Sequence, residues 1–98
     1  MSAACPELGF DVVLELARDV DDVRRRELRE EFLTLVESRG LLAAGRGGGG
    51  GVLRYRITRD GGQAIDADRE AFEAWARRRP QIASFTVGPL LDLRDTTG

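Results

Sequence analysis

The hydrophobic period of this chain switches from two residues to about 3.6 and then makes the same switch again, which restricts it to folds alternating strand and helix. Phe10, Val12, Leu14 and Leu16 alternate with Asp11, Val13 and Glu15, so residues 10–16 predict a strand with one buried face. Leu28, Phe32, Leu35 and Val36 follow at i, i+4, i+7 and i+8, the spacing of one helical face. Asp19, Asp21 and Asp22 suit the positive end of that helix, and Gly40 suits its exit, which predicts a helix over residues 22–39.

The second half repeats the pattern with a hairpin in front. Residues 41–44 predict a short strand, and the glycine-rich run at 45–51 predicts a flexible loop. Leu53, Tyr55 and Ile57 then alternate with Arg54 and Arg56, so this third strand carries arginines on the face opposite its apolar residues. After a turn at Gly61 and Gly62, Asp66 is the expected N-cap of a second helix of about thirteen residues. Phe72, Trp75, Ala76 and Arg79 lie along one face of it and Pro80 ends it. Residues 82–87 predict the last strand, 88–93 return across the core, and 95–98 form a loose tail. The order β-α-β-β-α-β predicts an α+β, ferredoxin-like domain, a four-stranded antiparallel sheet with two helices on one face. A chain of 98 residues fits one such domain, with an ordered part at about 8–93.

Composition removes most catalytic classes. With no histidine, neither Ser-His-Asp nor Cys-His chemistry is available within the chain, and the commonest metal ligand is missing. All 15 basic residues are arginine, which excludes Schiff-base lysines and the lysine of a P-loop. Cys5 is the single cysteine, so no internal disulfide forms and no metal site or cofactor is expected. No apolar stretch approaches the roughly eighteen residues of a membrane-crossing helix, and the N-terminus lacks a basic leader, so the expected location is the cytoplasm. The net charge of -2 gives no general attraction to DNA or RNA, so any nucleic-acid contact must be local.

Local candidates exist. The glycine run precedes a strand rather than a helix and lacks the following lysine, so it is a loop and not a nucleotide cradle; Arg46 is its one residue able to hold phosphate. Arg54 and Arg56 face outward, where cross-strand pairing with Asp11 and Glu15 competes with RNA phosphate for them. Arg24, Arg25 and Arg26, and Arg77, Arg78 and Arg79, read as solvated helix faces, with bidentate contacts to RNA phosphates as the alternative. Phe10 and Tyr55 point inward with their aliphatic neighbours, which argues against base stacking on the sheet. Trp75 belongs to the core stripe, and the carboxylate pairs Asp66 with Asp68 and Glu30 with Glu31 read as capping or solvation.

Four segments in this order, CPELGFDVVLEL, FLTLVESRGLLAAGRGGGG, DADREAFEAWARRRP and FTVGPLLDL, resemble the bacterial YggL family. The likeness runs from Cys5 to Asp92 and rests on a Gly-Phe first strand, a Glu-x-x-Gly-Leu helix exit ahead of glycines, a tryptophan-bearing helix and a Gly-Pro-Leu-x-Asp ending. It implies a cytoplasmic bacterial protein without enzymatic activity that binds the large ribosomal subunit, through rRNA or ribosomal protein, with a role in assembly. The expected contacts are Arg46, Arg54 and Arg56. Where the family commonly carries a basic arm and a closing aromatic, this chain has MSAACPE and Leu93-Arg94. Two other classes share the strand order: a small-molecule sensor of the ACT type, and an adaptor that binds protein through the sheet.

Overall fold

A computed structural model describes residues 7–45 and 50–93. The elements are β1 (Leu8–Leu16), α1 (Asp22–Ser38), β2 (Leu41–Gly45), β3 (Val52–Arg59), α2 (Asp66–Arg77), β4 (Ile82–Val87) and β5 (Leu91–Asp92). The sheet runs β2-β3-β1-β4 with every pair antiparallel, which is the ferredoxin-like arrangement the sequence predicts. β5 pairs with β1 at Leu8↔Asp92 and Gly9↔Leu91, on the edge that β4 occupies further along. Between them the Gly88 N–H donates to the Asp11 carbonyl at 2.8 Å, so the chain stays bonded to β1 through the Gly-Pro step.

Alternation in the strands becomes two unlike faces. Phe10, Val12 and Leu14 lie opposite Ile57, Tyr55 and Leu53 and turn under the helices. There Leu28, Phe32 and Val36 of α1 and Phe72 and Ala76 of α2 close the core. Phe32 is its centre, stacked on Tyr55 at 4.7 Å and meeting Phe72 at 5.2 Å and the edge of Trp75 at 5.8 Å. Each fully buried phenylalanine contributes about 1.5–3 kcal/mol by leaving water. Trp75 sits at the rim of this core, half-buried, with the Arg79 guanidinium 5.1 Å above its ring.

Some expected boundaries shift, for local reasons. Asp66 is the first residue of α2 rather than its N-cap; Ile65 holds the cap position, and its N–H donates to Asp68 Oδ2 at 2.9 Å. The helix is 12 residues long. α1 stops at Ser38, where Gly40 takes φ +69° to turn the chain into β2. Gly45, expected in the loop, ends β2 opposite Tyr55. Gly9 is required by close approach: a Cβ there would lie 2.5 Å from the Ile57 carbonyl oxygen.

Asp68 ties the helices to the sheet. Its carboxylate is fully buried and accepts from Arg39 Nε at 2.9 Å and Arg59 Nη2 at 2.7 Å, besides the Ile65 N–H. Arg59 also donates to the carbonyls of Arg39 at 2.9 Å and Gln63 at 3.0 Å. One side chain of β3 thereby closes the exit of α1 and the entrance of α2 together. Burial by itself would raise the Asp68 carboxyl, but the bonds from Ile65, Arg59 and Arg39 and the charge of Arg59 hold it below the usual carboxylate range. Capping explains only one of these bonds; the burial was not expected.

Candidate nucleic-acid interface

The uncovered face of the sheet presents Asp11, Val13 and Glu15 of β1, Arg54, Arg56 and Thr58 of β3, and Ser84 and Thr86 of β4. Register decides what the arginines do there. Arg56 lies directly opposite Asp11 and donates to it through Nε at 2.9 Å and Nη2 at 3.2 Å, a two-point clamp. The hydrogen bond to Asp11 raises the Arg56 pKa, burial offsets part of that rise, and the Asp11 charge adds to it. Arg56 therefore meets a partner half-neutralised.

Arg54 differs. Val13, not Glu15, stands opposite it, and Glu15 faces Val52, so the second expected cross-strand pair does not form. Arg54 is exposed and enters no ion pair among the described residues. Arg46 lies outside the described residues, as do Cys5 and the centre of the glycine run.

The helical arginines divide in the same way. Arg24 meets Glu27 at 3.1 Å and Glu31 at 3.5 Å, and Arg79 meets Glu31 at 2.8 Å, so one member of each triplet joins a charge network bridging the two helices. Arg77 lies 5.9 Å from the Phe85 ring. Arg69 ties α2 to the end of β4 through the Gly88 carbonyl at 2.6 Å and meets Asp66 at 3.1 Å. Arg25 and Arg29 take another course: with Arg54 they line a cleft of about 290 Å³ between α1 and the β2-β3 end of the sheet.

Among the described residues no three His, Cys, Asp or Glu side chains are placed to hold a metal ion, and the one buried carboxylate, Asp68, is saturated by arginines. No helix among them is long and apolar enough to cross a membrane. A depression of about 720 Å³ beside Leu42, Thr58 and Ile65 is an open groove that Glu7, Arg59, Asp60 and Gln63 also line, and Arg59 is already engaged by Asp68.

Neither the comparison with curated proteins nor that with solved structures gives a significant match. A family model described as YggL 50S ribosome-binding protein matches residues 4–94, which spans the sheet, both helices and the whole arginine-bearing surface. The chain belongs to the YggL 50S ribosome-binding protein family.

Proposed function

We propose that this chain is a non-catalytic cytoplasmic protein that binds the large ribosomal subunit, and that arginine contacts to rRNA phosphate carry the binding. The family match along nearly the whole chain is the observation that carries this reading. The open sheet face supports it: Arg54 is exposed and enters no ion pair among the described residues, while Arg56 is held by Asp11 through Nε and Nη2. Arg46, in the adjoining glycine run, is the third member of the proposed surface. The apolar residues supply the rigid frame on which these charges are spaced, and a role in subunit assembly follows from binding free subunits.

Such contacts release counterions, so affinity falls steeply as salt rises. Sucrose-gradient sedimentation of tagged protein at low and high salt tests the reading. Comigration with free large subunits that is lost at high salt supports it; protein only at the top of the gradient under gentle conditions refutes it.

A further inference from the structure

We propose that two copies of this chain pair through their β2 edges, continuing the sheet across a twofold axis at Ala43 with the two α1 helices side by side. β2 is the outermost strand on its side of the sheet, and among the described residues no strand pairs its outer edge. Edge strands are ordinarily guarded by charge, proline or a covering element, because free N–H and C=O groups template pairing with another chain. The residues of β2, LLAAG, include no charge and no proline, and Leu42 is 52% exposed. The opposite edge is guarded. Arg69 donates to the Gly88 carbonyl at 2.6 Å and the Val87 carbonyl at 3.4 Å, and Arg77 lies over the Phe85 ring of β4.

The flank of α1 beside β2 is complementary to itself. Leu28, Phe32 and Val36 are buried in the core, and Glu27, Glu31 and Leu35 line a depression with Trp75 of α2. The flank turned away from α2 therefore carries Arg29, Leu33 and Glu37, spaced four residues apart. Arg29 and Leu33 line a depression with Ala43 and Gly45, which sets Leu33 beside the middle of β2. Four helical residues rise about 6 Å and two strand residues about 6.6 Å, so Arg29 and Glu37 lie level with the two ends of β2. Antiparallel pairing of β2 with its own copy sets Ala43 against Ala43 and Leu42 against Ala44. The same axis brings Leu33 opposite Leu33 and each Arg29 opposite Glu37 of the second copy. Neither Arg29 nor Glu37 enters an ion pair among the described residues. Further out, Arg26 falls opposite Gly40, so the flank brings no like charges together. Phe32 stacks on Tyr55 of β3, so α1 sits inward of β2; strands about 4.8 Å apart then leave the two helices the roughly 8–10 Å that helix packing requires. This reciprocal match of charges favours a second copy over a foreign strand.

The test follows the mass of the full chain by sedimentation equilibrium from about 1 μM to about 1 mM, the range in which a small interface associates. Wild type should pass from monomer to dimer. R29E and E37R should each weaken dimerisation at least about tenfold, because every reversal acts twice across a twofold axis. R29E/E37R should return it to within about threefold of wild type. Within one chain the two residues are about 12 Å apart along α1, so the restoration cannot arise inside a monomer. Both are exposed, and far-UV circular dichroism checks that each variant folds. A wild type that stays monomeric at the highest concentration, a dimer indifferent to either reversal, or a double variant no better than the single ones overturns the proposal. Amide exchange at Leu41–Gly45 that slows as dimer forms supports it, and unchanged exchange there in a dimer overturns it. No subunits enter these measurements, so their outcome is separate from that of the ribosome-binding reading.

Discussion

Asp68→Ala leaves two guanidinium groups and the Ile65 N–H without the acceptor that orders the junction of α1, β3 and α2. Removing one partner of a buried ion pair costs about 3–5 kcal/mol. Arg39 and Arg59 keep 31% and 29% of their side-chain surface exposed and recruit water once released, which places the loss near the lower bound, about 3 kcal/mol. In a domain of this size that lowers Tm by about 12 °C or more. Urea unfolding followed by the single tryptophan, Trp75, reads the loss directly. Asp68→Asn keeps the shape and isolates the charge. Because folding lowers the Asp68 pKa, the unfolded chain binds more protons between the two values, and stability there rises with pH. The contribution is complete above the unfolded value, about 4, and disappears as pH falls through the lowered folded value. The gap between wild type and Asp68→Asn should therefore be widest at pH 7 and narrow below pH 4. A gap under about 1 kcal/mol at pH 7, or one independent of pH, would refute the assignment of Asp68 as the charged tie of the fold.

Gly9→Ala should destabilise by about 2 kcal/mol in denaturant unfolding, because its methyl group must push β3 away at Ile57; an unchanged midpoint would contradict that close approach. A double-mutant cycle on Asp11 and Arg56 should give a coupling of about 0.5–1 kcal/mol, small because the pair is partly exposed. Arg54→Gln should weaken large-subunit co-sedimentation and flatten its salt dependence while stability changes by less than about 0.5 kcal/mol; undiminished binding counts against this surface. Gly40→Ala should cost about 1 kcal/mol in the same unfolding assay, since alanine resists φ +69°.

Fold and topology were legible because strand alternation and helical spacing are local properties, repeated cleanly at Phe10 to Leu16 and at Leu53 to Ile57. The pairing of Arg56 with Asp11 was also legible, since both face outward on strands the topology makes neighbours. Register was not: whether Glu15 or Val13 meets Arg54 depends on a slide of two residues between β1 and β3, which α1 and β2 separate in the chain, so no tight turn announces it. Asp68 was misjudged for a related reason. Its neighbours at i±3 and i±4 announce a helix start, but its arginine partners arrive from 29 and 9 residues earlier in the chain.

The position of β1 bears on how the protein is made. It precedes the other described strands in the chain, yet it lies in the middle of the sheet, with β3 on one side and β4 and β5 on the other. Its neighbour β2-β3 appears only after α1, and its second edge stays bare until residues 82–92 have emerged. Closing those distant pairings means ordering long loops before the contacts can reward it, which slows folding. The sheet consequently cannot be completed vectorially during synthesis, and the nascent chain holds an apolar strand with at least one edge open until elongation has reached its last pairing segment.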